Sequence, residues 1–387
     1  MYNIKTLNKI SPVGLDNFDR SKYTWGDDVE NPEAILVRSA SMHEMEMPQS
    51  LLAIARAGAG VNNIPVDKCA EDGIVVFNTP GANANAVKEL VLLGLLISSR
   101  KVTKALEWVG GLAGKGDEVG KLVEKGKSQF AGPEIAGKTL GVIGLGAIGV
   151  KVANAATHLG MKVLGYDPYI SVDGAWELSR SVTHAKTLKE IFEASDYITV
   201  HVPCNADTKG MINSESIATM KSGVRILNFA RGELVVNDDI LTALENGKVA
   251  AYVTDFPSDA LIGKEGVIAL PHLGASTPES EDNCAKMAAL EIIDYLENGN
   301  IKNSVNMPAV SMPRSGKTRV CVIHKNIPSM LSQISGTFSD NGLNIENLQD
   351  KSRKEIAYTI LDIEETVGRD IVDKLNAIDG VIKVRVL

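Results

Sequence analysis

Short apolar runs alternate with segments of helical periodicity in the first hundred residues of the chain. The runs at residues 34–37, 51–55 and 74–77 have the length and composition of buried strands. Residues 82–98 instead carry apolar side chains at helical spacing and predict an amphipathic helix. This order predicts a small α/β domain at the start of the chain.

The same alternation resumes at residue 137 and continues to residue 298. Strands are predicted over residues 140–143, 162–166, 197–202, 224–229, 250–254 and 267–270. Helices are predicted over residues 147–158, 188–194, 214–220, 237–246 and 278–298. Repeated strand–helix units of this kind predict a doubly wound parallel sheet, in which the functional loops follow the carboxyl ends of the strands.

A different pattern follows residue 306. Pro308, Pro313 and Gly316 interrupt the alternation, so residues 307–316 are predicted to be a linker. The remaining sequence predicts strands over residues 319–323, 343–351, 355–363 and 381–387, and helices over residues 328–340 and 367–377. The order βαββαβ predicts a small ferredoxin-like domain over residues 317–387.

A glycine-rich turn joins the predicted strand 140–143 to the helix that follows it. Gly144, Gly146 and Gly149 form the pattern GxGxxG, which allows a tight turn, close approach of a pyrophosphate and close packing of helix on strand. The pyrophosphate would lie on the N–H groups at the start of the helix, which include those of Ala147 and Ile148. Asp167 ends the next strand, where an acid binds the adenosine ribose hydroxyls and repels a 2′-phosphate. The motif therefore predicts a domain that binds NAD in preference to NADP.

Composition and charge narrow the possible functions. Of the 387 residues, 44% are hydrophobic and 23% are charged, which is usual for a globular protein of two or three domains. The formal net charge of −8 argues against nucleic acid or an anionic membrane as a partner, because there is no basic excess to neutralise phosphates. The four cysteines are scattered without metal-ligand spacing, so we expect reduced thiols, no metal site and a cytoplasmic protein. No signal peptide or transmembrane segment is expected.

Two charged side chains follow strands of the predicted sheet and suit hydride transfer from a hydroxy acid. His272 lies in the loop PHLGAST, and an imidazole can exchange a proton with a hydroxyl group near neutral pH. Arg231 lies in the loop NFARGE, where a planar guanidinium could hold a carboxylate. With a nicotinamide cofactor, these two residues predict a dehydrogenase.

These motifs, together with others in order along the chain, resemble those of the D-isomer-specific 2-hydroxyacid dehydrogenase family. The matching segments are VRS at residues 37–39, RAGAGVNN at 56–63, NTPGANANAVKEL at 78–90, GKTLGVIGLGAIG at 137–149, YDPY at 166–169, HVP at 201–203, NFARGELV at 228–235 and PHLGAST at 271–277. The resemblance implies a Rossmann NAD-binding domain over residues 99–280. It also implies a split flavodoxin-like substrate domain over residues 1–98 and 281–306.

The resemblance further implies roles for individual residues in catalysis and cofactor binding. His272 would be the acid–base residue, and Arg231 would bind the carboxylate and carbonyl groups of the substrate. Besides the glycine loop and Asp167, the residues expected to bind NAD are His201, Val202, Pro203, Thr208, Phe229, Ala230, Asp255 and Gly274.

The substrate-binding residues implied by the resemblance come mainly from the first domain. Backbone N–H groups of Ala59 and Gly60 would hold the substrate carboxylate. Arg38 and Arg56 would lie on the substrate side of the cleft and are candidates for binding a phosphate, since a guanidinium pairs bidentately with phosphate. Asn83 is a further substrate-binding candidate.

The sequence departs from the family pattern at the acid that pairs with the histidine. Where the family has DVFxxEP, this chain reads TDFPSDA, so Asp259 takes the place of the glutamate and Thr254 that of the aspartate. Asp259 is therefore the first candidate for the partner that holds the tautomer of His272, and Glu265 is the second. Asp255 is expected to supply the displaced cofactor contact.

The C-terminal domain resembles ACT domains, which are small regulatory modules that often bind amino acids. The segments HKNIPSML, from His324, and NGLNIEN, from Asn341, resemble the serine-binding part of feedback-inhibited family members. His324, Asn326 and Asn344 are therefore candidates for binding an L-serine effector, since amide and imidazole groups recognise ammonium and carboxylate groups. Ser329 stands where the family usually has glycine, and a purely structural, dimerising role is the alternative.

The activity implied by the resemblance is NAD-dependent oxidation of a phosphorylated 2-hydroxy acid. D-3-Phosphoglycerate is the expected substrate and 3-phosphohydroxypyruvate the product, as in the first step of L-serine synthesis. Two alternatives stay open: a dehydrogenase for another 2-hydroxy acid, such as 2-hydroxyglutarate or glycerate, and a dinucleotide-sensing protein like the corepressors that share the fold. A homodimer is implied, which ACT pairing could extend to a homotetramer. The lysine-rich residues 101–127, whose pattern is typical of a solvated helical face, fall where the dimer interface would lie.

Overall fold

The structure, a computed structural model, describes all 387 residues of the chain. They form two compact units, one of residues Met1–Ala82 with Pro278–Leu387 and the other of residues Asn83–Thr277. None of the helices combines the length and the apolar composition needed to cross a lipid bilayer.

The strands form three sheets. The first sheet contains β1 (Tyr2–Leu7), β2 (Tyr23–Gly26), β3 (Ala34–Val37), β4 (Ala53–Arg56) and β5 (Val75–Phe77). The second contains β6 (Thr139–Ile143), β7 (Lys162–Tyr166), β8 (Val182–His184), β9 (Tyr197–Val200), β10 (Val224–Asn228), β11 (Val249–Thr254) and β12 (Val267–Ala269). The third contains β13 (Thr318–Lys325), β14 (Ile345–Arg353), β15 (Ile356–Ile363) and β16 (Val381–Val386).

The helices alternate with these strands along the chain. The α-helices are α1 (Pro12–Leu15), α2 (Val66–Glu71), α3 (Ala84–Arg100), α4 (Val102–Gly110), α5 (Val119–Gly126), α6 (Ala147–His158), α7 (Val172–Glu177), α8 (Leu188–Ala194), α9 (Ser214–Thr219), α10 (Asn237–Glu245), α11 (Pro278–Asn298), α12 (Met330–Ser339) and α13 (Arg369–Asn376). Short 3₁₀ helices occur at Gly116–Glu118, Lys127–Phe130 and Gly232–Leu234.

The first sheet is parallel throughout, in the order β2-β1-β3-β4-β5. This is the flavodoxin-like strand order. The long helix α11 returns from the second half of the chain, packs on β3 and β4, and buries Ala288, Ile292 and Tyr295 in the core of this sheet. The split flavodoxin-like domain predicted from the sequence is therefore confirmed.

The second sheet is also parallel, in the order β12-β11-β10-β9-β6-β7-β8. The six strands from β8 to β11 follow the Rossmann order, in which the direction of strand addition reverses between β6 and β9. Ligands bind at such a switch point, outside the carboxyl ends of the strands. The predicted doubly wound dinucleotide-binding fold is confirmed.

The boundary between the two units differs from the one predicted at residues 98 and 99. Helix α3 packs on α6, and its residues Val87, Val91 and Leu95 share a core with Leu140 and Val142. Because α3 buries its apolar face in the second unit, the chain divides after Ala82. The return to the first unit falls after Thr277, close to the predicted position.

The third sheet is antiparallel, in the ferredoxin-like order β14-β15-β13-β16. One face packs on α12 and α13 through side chains that include Val320 and Val322. Alternate residues on the same strand point the other way, so Cys321 and Ile323 share a core with Tyr295 of α11. The predicted ACT-type βαββαβ fold is confirmed, and its sheet is covered by apolar side chains on both faces.

The segment predicted as a linker, residues 307–316, contributes to the core of the first unit. Met307 and Val310 are completely buried, and Val310 forms an antiparallel bridge with Ile301. Proline and glycine break the helical and strand patterns here, but they do not free the segment from the surrounding structure. The ferredoxin-like domain and the substrate domain are therefore joined by a packed connection.

A buried arginine fixes this connection. The guanidinium of Arg319 is fully buried, and Nε and Nη2 donate to the carboxylate of Asp362 at 2.7 and 2.8 Å. Its other N–H groups donate to the carbonyls of Asn298, Met312 and Pro313 at 2.8–2.9 Å. Burial alone would raise the pKa of Asp362, but the bonds from Arg319 hold that pKa below its ordinary value. All five guanidinium N–H groups thus have partners.

We expect Arg319→Met to lower the free energy of unfolding by about 3–5 kcal/mol, because it leaves the buried Asp362 carboxylate without a counter-ion. Urea denaturation followed by circular dichroism measures the effect. Lys22→Met is the matched control, since it removes an ion pair with Glu297 from the surface of the same unit and should cost less than about 1 kcal/mol. Equal losses in the two variants would contradict the role assigned to Arg319.

Candidate active site

The glycine turn between β6 and α6 has the geometry that a dinucleotide requires. Gly144 has a φ of 91°, and a Cβ atom there would lie 2.6 Å from the carbonyl oxygen of His201. A Cβ atom at Gly149 would lie 1.9 Å from the carbonyl oxygen of Gly144, so only glycine lets the helix start this close to the strand. A Cβ atom at Gly146 would meet nothing within 4 Å. The first turn of α6, from Ala147, therefore has open space in front of Gly146 for an anion.

Asp167 is held in place at the end of β7. Its Oδ2 accepts a hydrogen bond from the backbone N–H of Leu145, and its Oδ1 accepts one from that of Tyr169, both at 2.8 Å. A carboxylate oxygen can accept more than one hydrogen bond, so both oxygens retain capacity for ribose hydroxyls. The predicted position of Asp167 at the strand end next to the glycine turn is thus observed.

The loop after β9 is ordered by its own side chains. Thr208 donates from Oγ1 to the carbonyl of Pro203 at 2.6 Å and accepts from the backbone N–H of Asn205 at 2.9 Å. His201 shares a 2.9 Å hydrogen bond with Thr199 through Nε2, while its buried Nδ1 has no protein partner. Burial lowers the pKa of His201 to about 4, so its imidazole is neutral at pH 7. Val202 lies beside the glycine turn, within 2.9 Å of the Cβ position at Gly144.

Arg231 is presented to solvent by a rigid loop after β10. Its backbone carbonyl accepts a 2.8 Å hydrogen bond from Nδ2 of Asn228, which is fully buried. Its guanidinium donates from Nη1 to the carbonyl of Ala230 at 2.6 Å and is exposed. Phe229, between them, is buried in the core. The buried amide of Asn228 was not singled out from the sequence, although it belongs to the NFARGE motif.

His272 lies next to the end of β11. Its ring contacts that of Phe256, with 4.8 Å between centroids. Asp255 is 1% exposed, and neither carboxylate oxygen has a hydrogen-bond partner in the protein. Burial raises the pKa of Asp255, whereas the nearby charges of His272 and Arg231 oppose that rise. The structure thus brings Arg231, His272 and Asp255 together at the carboxyl end of the sheet, with Gly274 beside the Asp255 carboxylate.

The acids predicted to pair with His272 lie elsewhere. Asp259 is exposed and makes no hydrogen bond or ion pair. Glu265 is exposed and forms an ion pair with Lys104, which lowers the pKa of the glutamate. The structure therefore pairs Glu265 with Lys104 and not with His272. Asp255 lies four residues before Asp259 in the chain and has the burial and the charged neighbours that the predicted partner was expected to have.

The loop after β4 in the first unit presents two backbone N–H groups. The carbonyl of Gly58 accepts from the backbone N–H of Thr79 at 3.1 Å, and the carbonyl of Ala59 accepts from Nδ2 of Asn78 at 2.6 Å. In a trans peptide the N–H points opposite to the carbonyl. The N–H groups of Ala59 and Gly60 consequently point away from residues 78 and 79, and neither has a protein acceptor. Their binding of a carboxylate stays a prediction.

The two arginines proposed to bind phosphate are already engaged. Arg38 forms an ion pair with Glu281 at 2.6 Å in which both side chains are partly exposed, and Arg56 donates from Nε to the carbonyl of Arg38 at 3.1 Å. Exposed ion pairs of this kind contribute little to stability and exchange partners readily. Asn83 lies in the second unit, at the residue before α3.

The three candidate effector residues are separated within one chain. His324 is buried, shares a hydrogen bond with Thr359 and contacts the carboxylate of Asp350 at 3.4 Å. It pairs with Ala357 on β15, whereas Asn344 lies beyond the far end of that strand, next to Ile345, which pairs with Ile363. Asn326 is bonded to the turn at Lys354, on the same side as His324. Ser329 has a φ of 69°, as expected where the family usually has glycine.

Comparison with known proteins agrees with this arrangement. Residues 95–274 match the NAD-binding domain of D-isomer specific 2-hydroxyacid dehydrogenase, and residues 320–383 match the AHAS small subunit-like ACT domain. D-3-phosphoglycerate dehydrogenase of Haemophilus influenzae is 32% identical, over 98% of this chain and 94% of that protein. The enzyme of the same name from Bacillus subtilis is 34% identical over 82% of this chain, which spans only 62% of its length.

Solved structures share the fold of this chain. The NAD⁺-bound 3-phosphoglycerate dehydrogenase of Entamoeba histolytica has a TM-score of 0.60 at 26% identity, with 79% of this chain and 98% of that chain covered. A D-mandelate dehydrogenase of Rhodotorula graminis, 24% identical with a TM-score of 0.65, covers 81% of this chain and 99% of its own.

The fold and the family match define a protein with an NAD-binding Rossmann domain. Its cofactor domain carries a glycine turn and a ribose-binding acid, and a histidine and an arginine stand at the ends of the same sheet. The chain belongs to the D-isomer specific 2-hydroxyacid dehydrogenase family.

The contrast between Asp255 and Asp259 gives a direct test of the site. We expect Asp255→Asn to lower kcat/KM for the hydroxy acid by about 10²-fold, because a buried carboxylate beside His272 stabilises the imidazolium formed during proton transfer. Asp259→Asn, at an exposed residue without partners, should change it by less than about twofold. Steady-state NADH formation measures both. The assignment of Asp255 fails if Asp259→Asn is the more damaging substitution.

Proposed function

We propose that this chain oxidises D-3-phosphoglycerate to 3-phosphohydroxypyruvate with NAD, the first step of L-serine synthesis. The proposal is supported by the names of relatives that match the chain, one of them over nearly the full length of both proteins. The observation that carries it is the grouping of His272, Arg231 and Asp255 at the carboxyl end of the Rossmann sheet whose strand β6 leads into the glycine turn.

The cofactor's proposed binding residues fit a dinucleotide. The open space at Gly146, the oriented carboxylate of Asp167 and the unpartnered Nδ1 of His201 are groups that a bound dinucleotide would satisfy. When bound, the nicotinamide of NAD supplies the acceptor for the hydride that leaves C2 of the substrate.

The protein's own groups then serve proton transfer and orientation. Neutral His272 takes the proton of the C2 hydroxyl, and Asp255 stabilises the positive charge that His272 acquires. Arg231 binds the substrate carboxylate and the oxygen that becomes the carbonyl. The N–H groups of Ala59 and Gly60 are further candidates for holding the substrate carboxylate.

The phosphate of the substrate is assigned to Arg38 and Arg56. A phosphate would have to displace Glu281 from Arg38, which is feasible because that ion pair is exposed. Because Glu281 already occupies Arg38, this ion pair also favours a second candidate substrate without a phosphate. That candidate is another 2-hydroxy acid, such as glycerate or 2-hydroxyglutarate. A sensor without catalysis is disfavoured, since a sensor needs no proton acceptor beside a carboxylate-binding arginine.

Regulation by an amino acid is proposed for the C-terminal domain. The match to an ACT domain supports amino-acid binding, and L-serine is the proposed effector, with His324, Asn326 and Asn344 as its candidate ligands. We also propose a cytoplasmic location, for which the four free cysteines are the support.

The decisive experiment is the initial rate of NADH formation from D-3-phosphoglycerate, with and without L-serine. We expect turnover that serine suppresses, and a loss of about 10²-fold or more in kcat for His272→Ala, because no other group is placed to take the proton. D-Glycerate and D-2-hydroxyglutarate are the comparison substrates. Faster turnover of either would favour the second candidate, and NAD binding without turnover of any of them would favour the sensor.

Self-association is proposed through an apolar surface of the second unit. Five apolar side chains on α3 and α4 are 40–68% exposed: Leu93, Leu96, Val102, Leu106 and Val109. Several large apolar side chains exposed on two consecutive helices are typical of a protein interface. We therefore propose at least a homodimer, which pairing of ACT domains would extend to a homotetramer.

Leu106→Glu should convert this assembly to a smaller species, because it places a charge in the centre of the proposed interface. Sedimentation equilibrium measures the mass. Leu159→Glu is the control, since Leu159 is also an exposed leucine of the second unit and lies at the end of α6. A wild-type chain that sediments as a monomer would contradict the proposed interface.

A further inference from the structure

A glutamate is buried in the first unit where the proposed chemistry does not need one. Glu291 lies in the middle of α11 and is 8% exposed. Its Oε1 accepts a 2.7 Å hydrogen bond from Nδ2 of Asn303, and its buried Oε2 has no partner. Burial raises the pKa of Glu291 to about 8, so the carboxyl group is mostly protonated at pH 7. Such a group is costly to bury, which calls for a reason beyond packing.

The residue that Glu291 holds has an unusual backbone conformation. Asn303 has a φ of 51°, in the left-handed region that asparagine tolerates better than most residues. From this residue the chain runs antiparallel along the edge of β5, where Ser304 bridges Phe77 and Val305 donates to the carbonyl of Val76 at 2.9 Å. The bond from Glu291 therefore fixes the start of an added edge strand.

The start of this edge strand is bonded to the residues beside the loop that presents the carboxylate-binding N–H groups. The carbonyl of Asn303 accepts from the backbone N–H of Asn78 at 3.3 Å, and the side chain of Asn78 donates to the carbonyl of Ala59 at 2.6 Å. The latter bond orients the peptide that carries the N–H of Gly60. A continuous series of hydrogen bonds thus joins Glu291 to Gly60 through Asn303, Asn78 and Ala59.

We propose that Glu291 is a positioning residue for the substrate carboxylate, acting through Asn303 and Asn78 on the peptide between Ala59 and Gly60. This inference rests on the proposed function, in which those N–H groups bind a 2-hydroxy acid. Glu291 itself touches neither substrate nor cofactor. Its loss leaves Asn303 free to rotate and releases the restraint on Asn78, so the N–H of Gly60 loses its fixed direction.

The test compares Glu291→Ala with Glu291→Gln in the full-length chain. Glu291→Ala should raise KM for D-3-phosphoglycerate about tenfold, the effect of roughly one lost hydrogen bond, without changing the dissociation constant of NAD. Glu291→Gln should restore the wild-type KM, because its amide oxygen can accept from Asn303 as the protonated glutamate does. Asn303→Gly should match Glu291→Ala, and the double variant should be no worse than either single one.

Amide hydrogen exchange supplies a readout that does not depend on turnover. The backbone N–H groups of Asn78 and Thr79, which donate to the carbonyls of Asn303 and Gly58, should exchange faster in Glu291→Ala than in the wild type, and at the wild-type rate in Glu291→Gln. Asp294→Asn is the control, since Asp294 lies on the same helix but accepts from Asn298 and Asn300 and pairs with the exposed Lys302, without a bond to Asn303. If the wild type turns over no substrate but amide exchange still changes in Glu291→Ala, the proposed function is overturned and the positioning role of Glu291 is not. Unchanged KM and unchanged exchange at residues 78 and 79 in Glu291→Ala would overturn the role of Glu291.

Discussion

The buried guanidinium of Arg319 is the interaction on which the architecture of the first unit depends. It sits where three pieces of chain meet, the end of α11, the segment before β13 and the strand pair β13–β15, and it donates to all three. A lysine could not satisfy five acceptors in one plane. Three of the five acceptors are backbone carbonyls, so these bonds hold the main chain itself in place. The ACT sheet is therefore a structural layer of the substrate domain.

That anchoring changes how regulation could reach the active site. Arg319 bonds to Asn298, the last residue of α11, and the chain continues from there to Asn303 and the edge of the substrate sheet. The same helix holds Glu291 seven residues before its end. A change in the ACT domain that moves the end of α11 thus acts on the segment that supports the loop at Ala59 and Gly60. Flexibility of a tether is not required for such coupling, since Met307 and Val310 of the connecting segment are buried.

Sequence reasoning succeeded where one local constraint determines the structure. Helices α6, α8 and α11 begin and end at the predicted residues, because glycine or threonine starts the first two, proline starts the third, and buried runs flank them. Strands β1 and β2 were not predicted. Only two of the six residues of β1 are buried, because polar side chains such as Lys5 interrupt its apolar pattern. The sequence therefore gives no strand signal there, although β1 lies inside the sheet, between β2 and β3.

The site was predictable to a similar extent. Short sequence motifs identify the glycine turn, Asp167, Arg231 and His272. The structure places each of them at the carboxyl end of a strand. The acid beside His272 was not predictable in this way. Aligning the family motif selects Asp259, but burial and neighbouring charges, which no motif records, distinguish Asp255. Asn78, Glu291 and Asn303 were missed for the same reason, since no motif records that Asn303, which bonds to Glu291, also bonds to Asn78 more than two hundred positions before it.

The ACT domain shows how geometry limits a role assigned by motif. Along β15, the partner of His324 is Ala357, and the partner of Ile345, which follows Asn344, is Ile363. At about 3.4 Å per residue, this places Asn344 roughly 20 Å from His324. A free amino acid is far shorter, so one molecule of serine cannot contact both residues of the same chain. An effector held by His324, Asn326 and Asn344 together requires the ACT domains of two chains, and its binding is then inseparable from their pairing.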